Sequence, residues 1–397
     1  MLASFDFSAA ISSAGSRPAT PEIVRETHVH ISQLTWARRI RRADPVFSVS
    51  VALGRGRTRL AYLGVLGSAA VAAVVALSAA GCSSPAPAQA VTSSVHSLTI
   101  GQARSEYSSY VAASTAAAKQ GDQVQGLSIV ADAQWSLLHA QYAALSKTGT
   151  PVTQYSYGTP TFYVPALAAF PQWFVVAVPV TTVTGAQRAP AVNTVMVFQR
   201  ISAAEQWTLD GSAALDQPLP AIALDSDGYA TKVSAHDSSL LLPPNIVGPT
   251  QAAVVDEGPA APAAAAIASG PQTTGLYATA AALDHSYAAQ GLTYEWLLEG
   301  AALPQFALRT ADGGALVLYA MYLNTTIEHP GNVFGALISI PAGFAPIITT
   351  PATQQGDHGV NANWTYEFAA VDPPSTTHGA KAQVVAGSGG PTYGHTY

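Results

Sequence analysis

The sequence predicts an α+β protein of two tandem domains, each with N-terminal helices packed on a curved antiparallel sheet, behind an N-terminal signal segment. Three observations carry this. Helical periodicity gives way to runs rich in Val, Thr and aromatic residues, punctuated by Pro and Gly, and the same order then begins again. The tract GPAAPAAAAIASGP at 258–271 separates the two cycles. A single apolar run, Leu60 to Ala80, follows three arginines and ends at Gly81-Cys82, the order of a basic, an apolar and a small-residue cleavage region.

Taken from the start, residues 1–50 fit neither the leader nor the body. A signal's basic region is short, whereas here more than fifty residues precede the apolar run. Val51 is read as an alternative initiator, and 1–50 as a mis-assigned extension without ordered structure, in which His28 and His30 have no role as a metal pair. Residues 51–81 form the signal peptide, with cleavage between Gly81 and Cys82. This stretch resembles the leaders of bacterial lipoproteins, whose lipobox places small residues before an invariant cysteine. Ala79, Ala80 and Gly81 fill it here, with Ala79 standing where Leu is usual. The resemblance implies that Cys82 becomes the mature N-terminus and takes acyl chains such as palmitate. The partner is then the lipid bilayer, and the chain is lipid-anchored on the extracytoplasmic face of the cell membrane. A competing site, Ala88-Gln89-Ala90, would instead release a soluble protein starting at Val91. The apolar run ends almost against Cys82, the only cysteine in the chain, and this favours the anchor.

Residues 82–97 are a Pro/Ser/Ala tether. The first domain, 98–215, opens with Thr99 and Gln102 spaced as a capping box. Ile100, Ala103, Tyr107, Tyr110, Val111 and Ala117 share a helical face as far as Gly121. Asp122 then caps a second helix running to Leu145, before Lys147-Thr148-Gly149. Strands are expected at Thr161–Leu167, Trp173–Val183, Thr194–Ser202 and Gln206–Ala213, with Pro179 marking an edge or a bulge. Residues 216–271 read as a connector. The second domain, 272–397, has an Ala-rich helix from Thr273 or Thr274 to about Ala289. Strands follow at Gln305–Thr310 and Ala315–Thr325, joined by Asp312-Gly313, the strongest hairpin signal in the chain. Further strands are expected at Val333–Ile340, Asn363–Val371 and Ala380–Ala386.

Composition excludes several classes. The chain is 49% hydrophobic and 10% charged, yet outside the leader no stretch supplies the roughly 18 nearly charge-free apolar residues of a membrane span. From Cys82 onward, eight basic residues face nineteen acidic ones, a net charge of −11. That balance repels a phosphate backbone, so no nucleic-acid partner is expected. One cysteine cannot form an intrachain disulfide.

The helix LTIGQARSEYSSYVAASTAAAKQGD, followed later by FVVAVPV, VMVFQR and EQWTLDG, resembles nuclear-transport-factor-2-like domains. That resemblance implies a cone-shaped α+β fold closing over an apolar cavity. LPAIALDSDGYAT, GPQTTGL and FALRTADGGALVLYAM resemble segments of uncharacterised lipoproteins of high-GC actinobacteria, a group with no assigned activity.

The chemical motifs are sparse. Lys147-Thr148-Gly149 lacks the Ser-x-x-Lys that a penicillin-recognising enzyme needs, and reads as a helix end. Asp225-Ser226-Asp227-Gly228 opens like a calcium loop, but His236 stands where the twelfth-position Glu belongs, so a turn is expected. The histidines after Cys82 show no ligand spacing, and neither metal nor cofactor is expected. No catalytic residue is assigned. Tyr107, Trp135 and Trp173 are candidates for lining a ligand cavity, although aromatic residues of this kind more often pack a core. The sequence therefore favours a binding or structural module over catalysis. The alternative is an enzyme on a cone-shaped fold acting on a small apolar ligand.

Overall fold

The computed structural model describes residues 98–331, 338–340, 343–348, 355–356 and 359–397. The leader, Cys82, the tether and most of the strand expected at Val333–Ile340 lie outside them. Helix α1 (Ile100–Gln120) opens on the expected capping box. Thr99 Oγ1 accepts the Gln102 N–H at 3.1 Å, and Gln102 Oε1 accepts the Thr99 N–H at 2.9 Å. Gly121 closes the helix in the left-handed region, φ +66°, and the Asp122 side chain caps α2 (Gln123–Ser128).

The second helix is not continuous to Leu145. The Leu209 N–H donates to Ile129 O and the Ala131 N–H to Leu209 O, both at 3.0 Å. Val130 is thereby drawn into the sheet beside Leu209, and backbone groups committed to a strand cannot also close helical turns. The helix resumes as α3 (Asp132–Thr148), starting from an Asp132 held at φ +49°, the only non-glycine with positive φ among the described residues. Gly149, φ +71°, ends α3 directly after Lys147-Thr148, as the helix-end reading expects.

The first sheet comprises β1 (Gln154–Tyr157), β2 (Thr161–Tyr163), β3 (Gln172–Thr184), β4 (Gln187–Arg188), β5 (Val192–Arg200) and β6 (Thr208–Ala214). Its order is β1-β3-β5-β6, with β2 and β4 also on β3, all antiparallel. Strand β1 was not anticipated, and the strand expected at Thr161–Leu167 is only three residues long. Pro179 lies in the long strand β3 for a geometric reason. Strand β1 pairs with Val180–Val183 and β2 with Val175–Ala177. Pro179 therefore falls in the gap between two partners, where its missing N–H is not required.

The second half contributes α4 (Pro244–Glu257), α5 (Thr274–Ala288), β7 (Thr293–Gly300), β8 (Phe306–Arg309) and β9 (Ala315–Glu328). The short pair β10 (Ile338–Ser339) and β11 (Gln355–Gly356) follows, then β12 (Gly359–Asp372) and β13 (Gln383–Thr396). The sheet runs β13-β12-β9-β7, with β8 taking the same side of β9 as β7. The Asp312-Gly313 hairpin joins β8 to β9 as expected, with Gly313 at φ +87°. Strand β7 and helix α4 were not read from the sequence. Pro243-Pro244 reads as punctuation, yet Pro244 occupies the first turn of α4, where a missing N–H costs nothing.

Two antiparallel sheets, each following its own helices, make the chain α+β in two tandem domains. They stack as helices, sheet, sheet, helices. Phe174, Val176, Met196 and Phe198 turn one face of the first sheet toward α1. The opposite face, with Trp173, Val175, Val195 and Val197, meets Leu316, Leu318, Ala369 and Val385 of the second. The far side of the second sheet buries Val317, Tyr319, Met321 and Phe368 against Val247 and Val254 of α4. The span 216–271 runs alongside the second sheet, with bridges from Ile222 to Thr310, Lys232 to Leu308 and Ile267 to Ala382, and touches the first half through a bridge from Ala230 to Pro165.

Candidate functional site

A cavity of about 410 Å³ opens among α1, α2, α3, the approach to β1, and a rim formed by Gly343, Pro346, Ile347 and the Ser388–Pro391 stretch of β13. Local structure explains the space. Gly126 lets α2 lie against Tyr142, since a Cβ there would come 2.8 Å from the ring and closer still to the hydroxyl. The Tyr142 hydroxyl in turn donates to Asp122 O at 2.8 Å. After the break at Val130, α3 places Leu137, Leu138 and Gln141 on the cavity wall.

None of the described lining residues is charged. The polar groups are hydroxyls and amides. Tyr157 is hydrogen-bonded to Tyr110 and Ser114, and Tyr155 to Thr153 and Gln141. Burial pushes the Tyr155 hydroxyl up to about 12, and those of Tyr110 and Tyr157 rise for the same reason. All three stay neutral at physiological pH, able to exchange hydrogen bonds with a carbonyl or hydroxyl but not to neutralise a charge. The volume lies within the range of small-molecule sites.

A second cluster sits where the two sheets meet. Glu367, on β12, projects from the face that abuts β6 and is 3% exposed. Its Oε2 accepts from Gln134 Nε2 and from the Ser212 N–H at 3.1 Å, while Oε1 is buried with no partner. Beside it, Asp210 Oδ1 accepts the Thr208 hydroxyl at 2.9 Å, and Asp210 contacts Asp132, carboxyl to carboxyl. Burial raises Glu367 to about 8 and Asp210 to about 7, with neighbouring carboxylates adding to both shifts. Two carboxyls this close resist ionising together, which adds to the rise at Asp210. The space enclosed there is about 20 Å³, room for one water and not for a substrate. Among the described residues, no three His, Cys, Asp or Glu side chains are placed to hold a metal ion.

The three aromatic residues singled out from the sequence do not converge. Tyr107 is buried beneath α1, edge-on to Phe162 and Phe198 at 5.6 and 5.9 Å. Trp173 faces the other way, into the layer between the sheets, 5.3 Å from Phe306. Trp135 is 44% exposed and stacks on His139 at 4.8 Å. Adjacent positions on β3 point to opposite faces, and this separates Trp173 from the Phe174 side. Asp225–Gly228 is a turn, with Asp225 Oδ1 accepting the N–H groups of Asp227 and Tyr229 at 2.9 Å each. Gly81 and Cys82 lie outside the described residues. The tyrosines that line the cavity gave one signal in the sequence: Tyr155 and Tyr157 alternate along a short run before Gly158.

Fold and cavity together define a two-sheet α+β protein with a pocket whose described lining is uncharged. The chain belongs to the family described as a domain of unknown function, DUF8094, which matches residues 94–392. It is similar to an uncharacterised lipoprotein of Streptomyces avermitilis, 28% identical over 197 residues that make up 49% of this chain and 55% of that protein. It is also similar to an uncharacterised lipoprotein of Streptomyces coelicolor, 31% identical over 192 residues, 44% of this chain and 49% of the other. The chain spans about half the length of the curated relatives it matches. No solved structure matches it. Among the described residues no helix is long and apolar enough to cross a membrane.

Proposed function

We propose that this protein is a lipid-anchored, extracytoplasmic binding module whose cavity takes an uncharged, largely apolar small molecule. The anchor is Cys82, the single cysteine, placed directly after the apolar run. Relatives bearing the name lipoprotein support this reading. The cavity carries the rest. About 410 Å³ of space lined by Leu, Ile, Ala and Tyr, without a charged side chain among its described residues, favours apolar surface and penalises an unpaired ion. The tyrosine hydroxyls supply orientation.

The enzymatic alternative has one observation in its favour, the pair of raised carboxyls at Asp210 and Glu367. The space beside them has room for one water and not for a substrate, so binding remains the better reading. The test uses the full chain and its Cys82→Ala variant. The parent should incorporate a fatty-acid label and partition with membranes, and the variant should lose both. In both forms the neutral fluorophore N-phenyl-1-naphthylamine should bind saturably. Filling the cavity by Ala118→Trp or Ala144→Trp should weaken that binding at least tenfold. Unchanged fluorophore binding in both tryptophan variants would exclude the cavity, and an unlabelled parent would exclude the anchor.

A further inference from the structure

The face of the second sheet that meets the first is longer than its partner. At one end Leu316, Leu318 and Ala369 are buried between the sheets, and Glu367 marks the boundary. Beyond Tyr322 the same face continues along β9 and β12 without a covering layer among the described residues, and its chemistry changes. Leu297, Tyr393 and Tyr397, 50%, 44% and 44% exposed, are three of the nine most exposed large hydrophobic side chains described. They share this surface with the carboxylates of Glu295, Glu299 and Glu328, as the strand register requires.

The side chains on this face are fixed. The Tyr397 ring crosses β12 at Gly359, where any Cβ would collide with it, and its hydroxyl donates to Glu328 Oε2 at 3.0 Å. Asn363 donates to Asn324, and Asn324 to Glu299. Thr326 donates to Asn361 Oδ1 at 2.7 Å, which leaves the Asn361 amide nitrogen facing His395 Nε2 at 3.2 Å. Along β13 the rings of Tyr393, His395 and Tyr397 follow one another at 5.7 and 6.1 Å, close to the repeat of alternate side chains in an extended chain.

Among the described residues no ion pair compensates the charge. Strands β7, β9, β12 and β13 contain no Lys or Arg, and the groups bonded to Glu299 and Glu328 are neutral. We propose that this overhanging face docks a basic polypeptide segment of a partner protein. Its Lys or Arg heads would meet the three carboxylates, and their aliphatic stems the exposed rings and Leu297. Charge complementarity selects this occupant. Acidic polymers are repelled. A neutral glycan can donate hydroxyl hydrogen bonds to the three carboxylates but leaves their net charge unbalanced, whereas a basic segment balances it. Cations also seat well on tyrosine faces.

The test uses the full chain purified in detergent, titrated with a labelled peptide of alternating Lys and Leu, eight residues long, and separately with cellohexaose. The peptide should bind saturably. Glu295→Gln with Glu328→Gln should weaken it at least fivefold, and so should Tyr393→Ala, with melting temperatures unchanged. Removing two exposed charges elsewhere, by Glu205→Gln with Asp227→Asn, should change binding less than twofold. Absence of peptide binding would overturn the proposal. Equal weakening by the remote pair would overturn it too, as would binding of cellohexaose alone that is lost in Tyr393→Ala.

Discussion

Glu367 shows how one residue can reverse the usual pH dependence of stability. Its two donors, Gln134 and Ser212, both serve Oε2, and no basic group lies among the described residues around it. The carboxyl is therefore held neutral, raised to about 8, with Asp210 raised to about 7. A carboxyl whose pKa is raised by folding contributes stability that is complete below its unfolded value and is lost as the pH climbs through the folded one. The protein should melt several degrees lower at pH 8.5 than at pH 5. Glu367→Gln keeps the acceptor and removes the ionisation, so its melting temperature should depend less on pH than the parent's over that window. Thermal melts read by circular dichroism across pH 5–8.5 check this, and parallel curves for parent and variant would refute it. Nothing local in the sequence singles out Glu367. Its environment comes from Gln134 and Ser212, 233 and 155 positions away.

At the scale of elements, legibility followed from whether the deciding interaction was local. Thr99, Gln102, Gly121 and Gly149 mark their helix ends through neighbours within four residues, as does the Asp312-Gly313 turn for its hairpin. The break at Val130 depends on Leu209 and is invisible to periodicity. Strand β7 escaped notice because Glu295, Leu297 and Glu299 blur its alternation on a face that is not buried. Two glycines separate local from tertiary demands. Gly101 lies exposed in α1, where a Cβ would meet only the Thr99 hydroxyl at an ordinary 3.9 Å, whereas Gly126 is packed under Tyr142. Gly101→Ala should stabilise by about 0.5 kcal/mol through the unfolded chain, and Gly126→Ala should destabilise by about 1–3 kcal/mol through overpacking. Denaturant titration of both variants checks the opposite signs.

At the scale of the whole molecule, the α+β class and the two helix-then-sheet cycles were readable because each cycle carries its own periodicity. The stacking of the sheets was not, since Trp173 and Phe306 meet only across the cycles, and Val195 and Val385 join one cluster only there. The shared layer also contains the Ser388 hydroxyl accepting the Ala214 N–H at 2.9 Å, and the Val385 carbonyl accepting that of Asp216 at 2.8 Å. Neither sheet keeps its buried face without the other, so calorimetry should record one unfolding transition. Two resolved transitions would show that each cycle holds together alone.

The overhang of the second sheet has a consequence for how the sequence can change. Along β9, inward residues such as Val317, Tyr319 and Met321 are buried throughout the described core, so substitution there is costly at every second position. The outward series begins equally constrained at Leu316 and Leu318, passes Tyr322, and becomes more permissive at the half-buried Asn324 and Thr326, where a replacement loses side-chain hydrogen bonds to Asn363, Glu299 or Asn361 and no place in the core. Tolerance to mutation therefore varies along a single strand face. The permissive end is free to diversify toward new partners while the other end holds the two sheets together.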